Sequence, residues 1–155
     1  MNDSVVCQNV KRNFGEERPL RGVSFRLPKK GFFGVFGASG SGKSTLLNIL
    51  GMLDDGYEGD VLILGKNPKR MSESERCAFR LKEIGYVFQS FNLLELETVE
   101  FNLSLPLQSC YLVKKRRREA KIRDALSLVG LDGYQKRVVN TLSGGEKQRV
   151  AIARA

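Results

Sequence analysis

Apolar and polar positions alternate in two N-terminal stretches, Val5–Val10 and Gly22–Leu27, with the turn-like Gly15-Glu16-Glu17-Arg18-Pro19 between them. That period predicts a pair of strands. Phe32-Phe33-Gly34-Val35-Phe36 is a short, wholly apolar run closed by glycine, the pattern of a strand buried on both faces. From Lys43 to Leu50 the apolar residues change to helical spacing. Asp60–Leu64 predicts another strand, closed by Gly65, and Ser72–Lys82 a polar helix opened by a Ser72/Glu75 capping box. Gly85-Tyr86-Val87-Phe88 predicts a second buried strand, leading to Gln89. From Thr98 to Gly130 the pattern is helical, first through Val99, Phe101, Leu103 and Leu105 up to Pro106. It resumes from Ala120 to Val129, with Leu126 and Val129 facing inward. A last helix runs from Glu146 to Ala155 without a C-terminal stop signal.

The order strand, glycine loop, helix around residues 32–50 gives the first candidate chemistry. Gly37-Ala38-Ser39-Gly40-Ser41-Gly42-Lys43-Ser44-Thr45 is a phosphate loop. A triphosphate carries dense negative charge that must be held without blocking its reactive end. Glycines 37, 40 and 42 let backbone N–H groups turn inward and approach phosphate oxygens closely. The following helix adds the positive end of its dipole. Lys43 is placed to reach the β- and γ-phosphates, Ser44 to put its hydroxyl on Mg²⁺, and Thr45 to add an α-phosphate contact.

Composition narrows the class. The chain has 155 residues, 41% of them hydrophobic and 28% charged, enough for one domain with a core. No apolar run reaches the length that spans a bilayer, and Met1-Asn2-Asp3-Ser4 has neither the basic nor the apolar region of a signal peptide. Cys7, Cys77 and Cys110 are widely spaced and lack metal-ligand spacing, so they read as reduced thiols of a cytosolic protein. The formal charge is +9, much of it from Lys114-Lys115-Arg116-Arg117-Arg118 at the start of a helix. A solvated helix face is the favoured reading of that cluster. An anionic-lipid contact ranks second, and nucleic acid last, because no aromatic residues alternate with the bases.

Far downstream of the phosphate loop stands Leu142-Ser143-Gly144-Gly145-Glu146-Lys147-Gln148-Arg149. Locally it is a helix start, with Ser143 as N-cap and Glu146 at N3. A helix N-terminus with bare N–H groups and a serine is also a second anion site. Two phosphate-type sites in one short chain suggest that two chains sandwich one nucleotide.

These residues carry a resemblance. Gly37–Thr45, Gln89 within Tyr-Val-Phe-Gln-Ser-Phe-Asn-Leu-Leu, and Leu142–Ala155 together resemble the ATP-binding subunit of an ATP-binding-cassette (ABC) transporter, over essentially the whole chain. The resemblance implies an α/β phosphate-loop fold with an N-terminal antiparallel β portion and an inserted helical subdomain. It divides the chain into a core at 1–89, a helical subdomain at 90–145 and the start of a return helix at 146–155. ATP and Mg²⁺ would be the cofactors. Phe14 would stack on adenine, and Lys43 and Gln89 would serve catalysis. Ser44 and Gln89 would serve the metal. Ser143, Gly144, Gly145 and Glu146 would close over ATP bound to a second, identical subunit. Glu146 stands where many members have Gln. The partner implied is a separate membrane permease, with no specific nucleic acid, and the location is the cytoplasmic face of the cell membrane.

Leu50-Gly-Met-Leu-Asp54, Gly85–Leu94 and Asn102–Pro106 resemble the subgroup serving lipoprotein release, macrolide export and antimicrobial-peptide resistance. After Asp54 the chain departs from that subgroup's usual Pro-Thr-Ser-Gly turn with Asp55-Gly56-Tyr57-Glu58-Gly59. Family members also continue past the signature helix into a strand ending in Asp-Glu, whose Glu is the general base, and later carry a histidine. This chain has no histidine. The expectation is therefore a truncated cassette, lacking the C-terminal part of its sheet, in which Phe32–Phe36 and Tyr86–Phe88 are left without neighbours. By itself it would bind nucleotide and hydrolyse almost none. A DNA-maintenance ATPase of the same superfamily is the weaker alternative, because the stretch from Gln89 to Ser143 has no heptads and no cysteine pairs.

Overall fold

The computed structural model describes residues 3–109 and 115–155. Lys114 and Cys110 lie outside the described residues. The chain divides into two compact units, Met1–Glu83 and Ile84–Ala155.

In the first unit β1 (Asp3–Phe14) turns at Gly15 into β2 (Glu17–Pro28), as the alternation predicts. β1 also pairs antiparallel with β3 (Glu58–Ile63), so the sheet among the described residues runs β2-β1-β3. Cys7 sits opposite Phe25 on one side and Val61 on the other. With Val10, Val61 and Ile63 it forms the buried face of the sheet. Burial pushes the Cys7 thiol up to about 11, so it stays protonated. α1 (Lys43–Leu50) has the predicted bounds and buries Leu46 and Ile49, one turn apart. α2 (Glu73–Glu83) opens with the predicted box: the Ser72 amide donates to Glu75 Oε2 at 2.7 Å, and the Glu75 amide to Ser72 Oγ at 3.3 Å. α2 buries no residue of its own, and polar ties hold it. Arg76 donates to Asp55 at 2.6 Å and Arg80 to the Met52 carbonyl at 2.8 Å.

The strand predicted for Phe32–Phe36 does not form. Phe32 is 100% exposed and Phe36 93%. A wholly apolar strand needs partners at both edges and layers on both faces, and no described segment pairs with this one. Gly85–Phe88 is likewise not a strand, and there Tyr86 and Phe88 pack on each other with ring centroids 4.4 Å apart. Both segments match the expectation of apolar runs without strand neighbours.

The second unit is helical. α3 (Val99–Ser109), α4 (Lys115–Leu128) and α5 (Gly144–Arg154) enclose a core of Val99, Leu103, Ile122, Leu126, Val139 and Val150. Leu126 is buried and Val129 packs against the core, as the periodicity predicts. Pro106 does not end its helix. The ring removes one donor, but Leu103 before it is in the core and Leu107 after it packs there, which carries α3 through. α4 opens on the described part of the basic run, as expected of a cluster at the start of a helix, and Arg117 there is exposed. No helix among the described residues is long and apolar enough to cross a membrane.

Candidate functional site

In the first unit, residues 37–41 form an exposed arc that delivers the chain into α1. Gly42 is the N-cap, at φ 86° and ψ 9°. A Cβ there would stand 2.5 Å from the Pro19 carbonyl oxygen, so both the left-handed backbone and the close approach require glycine. Its carbonyl already accepts from the Leu46 amide at 2.9 Å, but no side chain caps the helix and no acidic residue lies in its first turn. The positive end of α1 is therefore not offset by a side-chain cap or by an acidic residue of its own first turn. Lys43 bends back over the arc and donates to the carbonyls of Gly37 at 2.9 Å and Ala38 at 2.6 Å. Ser41 Oγ lies 3.4 Å from the same ammonium. Ser44 is exposed and Thr45 half-buried on the first turn. Helix dipole, uncapped amides and ammonium converge on one exposed arc, an arrangement whose charge suits an anion.

Phe14 ends β1, 49% exposed, with the Arg12 guanidinium 4.2 Å from its ring centroid. The β1–β2 register shifts between Arg12 and Phe14, and across that irregularity the guanidinium reaches the ring.

The second unit carries the remaining predicted residues. Gln89 is exposed. The loop after it is strained, with Phe91 at φ 62° and Asn92 at φ 48°. Arg154 at the far end of α5 clamps that loop, donating to the Phe91 carbonyl at 2.8 Å and to the Asn92 carbonyl. Buried Asn102 fixes its exit: Oδ1 accepts from the Leu94 amide at 2.7 Å and Nδ2 donates to the Leu94 and Thr98 carbonyls.

α5 starts at Gly144, directly after Ser143, which is its N-cap in the predicted and complete capping box with Glu146 at N3. Ser143, Gly144 and Gly145 are exposed. Glu146 is tied on both carboxylate oxygens. Tyr134 donates its hydroxyl to Oε1 at 2.7 Å, and the Ser143 hydroxyl and amide donate to Oε2 at 2.7 and 2.8 Å. Tyr134 first, then Ser143, hold the Glu146 carboxyl down to about 2. The same bond raises the Tyr134 phenol.

The phosphate loop and the Ser143 cap are legible in the local sequence. Arg12, Tyr134, Asn102 and Arg154 are not, because their partners are set by folding. Asn102, a polar residue amid the apolar Val99–Leu105 helix pattern, was the one visible signal.

The donor set fits Mg²⁺ as a shared ligand. No described cluster of three His, Cys, Asp or Glu could cage a metal alone. Mg²⁺ is commonly held by one or two protein oxygens together with nucleotide phosphates, and the exposed Ser44 hydroxyl on the first turn of α1 would fit such a role.

Comparison with known proteins agrees with this geometry. The family model described as "ABC transporter" matches residues 20–155. The chain is 48% identical over 159 aligned residues to the "Macrolide export ATP-binding/permease protein MacB" of Chlorobium phaeobacteroides, covering 100% of this chain and 24% of that protein. It is 40% identical to the "Methionine import ATP-binding protein MetN" of Clostridioides difficile, covering 97% and 46%. Among solved structures, the dimeric bacterial ABC transporter cassette MJ0796 superposes with a TM-score of 0.88 at 37% identity, over 97% of this chain and 68% of that one. The chain thus spans less than half the length of these two curated relatives. The family match, these identities and the superposition agree with the loop and capping geometry: the chain belongs to the ABC transporter family.

Proposed function

We propose that this chain is the ATP-binding part of an energy-coupling subunit of a membrane transporter. The observation that carries the reading is the phosphate cradle: an uncapped α1 entered through left-handed Gly42, with Lys43 folded onto the arc. Lys43 neutralises the β- and γ-phosphates, while the arc's amides and α1's first turn orient them. Mg²⁺ held at Ser44 would screen the charge that develops during phosphoryl transfer, and the exposed Gln89 is the residue that the resemblance assigns to the same metal. Phe14 offers an aromatic face to adenine. Ser143, Gly144 and Gly145, an exposed helix start, would meet the γ-phosphate bound by a second copy of the subunit. A dimeric solved cassette at 37% identity supports that closure.

In this proposal the full subunit hydrolyses ATP at the cytoplasmic face of the membrane and drives a separate permease of the lipoprotein-release, macrolide-export or peptide-resistance kind. The 155 residues contain no histidine, and no acidic residue follows Glu146. The general base and the histidine implied by the resemblance are therefore not among them, and these residues alone bind nucleotide with negligible turnover.

Calorimetric titration tests the reading. ATP is expected to bind the 155-residue protein, and Lys43→Ala to weaken binding about tenfold or more, given what charge-assisted hydrogen bonds contribute. Equal affinity of wild type and variant sinks the cradle. Steady Mg²⁺-dependent phosphate release by the 155 residues overturns the division between binding and turnover.

A further inference from the structure

Arg12 is anchored by two hydrogen bonds. Its Nε donates to Asp54 Oδ2 at 2.8 Å, and one terminal nitrogen donates to the Asn13 carbonyl at 3.1 Å. The other carboxylate oxygen of Asp54 accepts from the Gly56 amide at 2.9 Å, so the loop folds around the ion pair. Gly56 is where the guanidinium passes closest: a Cβ there would stand 2.8 Å from Cζ and from both terminal nitrogens. Gly56 does not have a positive φ, so its need for glycine is room for Arg12 and not backbone conformation. The anchored guanidinium lies 4.2 Å from the Phe14 centroid and closes one face of that ring, while the ring stays half-exposed. Asp54 belongs to the loop that leaves the C-terminal end of α1, and α1's N-terminus is the phosphate cradle. That loop is braced further by Arg80 on the Met52 carbonyl and Arg76 on Asp55.

We propose that Arg12, held by Asp54 in the space left by Gly56, is a positioning residue for the nucleotide base. It makes Phe14 a one-faced platform and ties that platform to the same helix that cradles the triphosphate. The proposal rests on Phe14 being the base-stacking residue. A cation over one face of an aromatic ring draws electron density toward itself. The opposite face then stacks better on an electron-rich purine, and the ring loses the freedom to tilt. The departure of Asp55-Gly56-Tyr57 from a proline turn acquires a purpose here, since Gly56 admits the guanidinium.

The test compares two probes, ATP and inorganic tripolyphosphate, titrated against the 155-residue protein and its variants. Tripolyphosphate reads the cradle alone, and its retained binding shows that a variant is folded. Phe14→Ala is the reference and is expected to weaken ATP while sparing tripolyphosphate. Arg12→Ala is expected to weaken ATP about two- to fivefold with tripolyphosphate unchanged, the size of an exposed cation–π contact. Gly56→Ala, which displaces the guanidinium without removing its charge, is expected to act in the same direction. Arg12→Lys should recover part of the loss. If Phe14→Ala lowers the ratio of ATP to tripolyphosphate affinity while Arg12→Ala and Gly56→Ala leave it unchanged or raise it, the positioning role is overturned and the base platform stands. If Phe14→Ala leaves the ratio unchanged, the platform falls and the positioning role with it.

Discussion

Glu146 concentrates at one residue how a short motif acquires its electrostatics. Its carboxyl lies at about 2 because Tyr134 and Ser143 donate three hydrogen bonds to the charged form. A folded pKa below the unfolded one means that this group's contribution to stability is complete above the ordinary carboxylate value. It is lost as pH falls from there toward 2. Tyr134→Phe removes the largest of the donors. The expected outcome is a Glu146 titration, followed by carboxyl carbon-13 resonance, that moves up from about 2, with acid unfolding beginning at higher pH. An unmoved titration would mean that the Ser143 contacts suffice. The sequence showed Ser143 and Glu146 as a cap because the two are three residues apart on one turn. It could not show Tyr134, which reaches Glu146 only because the turns between Leu131 and Leu142 bring its ring back to the start of α5.

At the scale of elements, those that matched their predicted positions are those defined by local chemistry. α1 has its predicted bounds, and α2 and α5 open on capping boxes read from Ser72/Glu75 and Ser143/Glu146. α1 depends on one backbone conformation. Gly42→Ala forces a left-handed alanine, which costs roughly 1–2 kcal/mol, and drives its Cβ onto the Pro19 carbonyl. The expected outcome is a denaturant midpoint lowered by at least that amount, with ATP affinity lost as the first turn of α1 reorients. A variant of wild-type stability would show that the loop relaxes freely. Pro106 teaches the converse, since a local rule for ending α3 gave way to the packing of Leu103 and Leu107. The loop after Gln89 is likewise a product of packing: no short-range signal forecasts left-handed Phe91 and Asn92, which Arg154 holds from the opposite end of α5.

Across the whole molecule the apolar surface is unevenly settled. Phe32 and Phe36 are almost wholly exposed, and Phe33 and Val35 stand about half-exposed beside them. A contiguous apolar patch of this kind drives association. The 155-residue protein is expected to bind a hydrophobic fluorescent dye and to self-associate at rising concentration. Replacing Phe32 and Phe36 together with serine should reduce both, by dye fluorescence and sedimentation; unchanged behaviour would locate the sticky surface elsewhere. The sequence by itself determined the phosphate loop, the Ser143 cap, the β1–β2 hairpin and the family. The loop and the cap rest on residues within a few positions of one another, where glycine conformations and hydroxyl caps act through the chain itself; the strands follow from alternation within each segment, and the family from the order of several such local motifs along the chain. Only the tertiary structure decided that Phe32–Phe36 and Gly85–Phe88 are not strands, and that Arg12 pairs with Asp54 and Tyr134 with Glu146. A buried strand and a side-chain partnership are stable only when a distant segment supplies the other half, and periodicity along one segment holds no record of it.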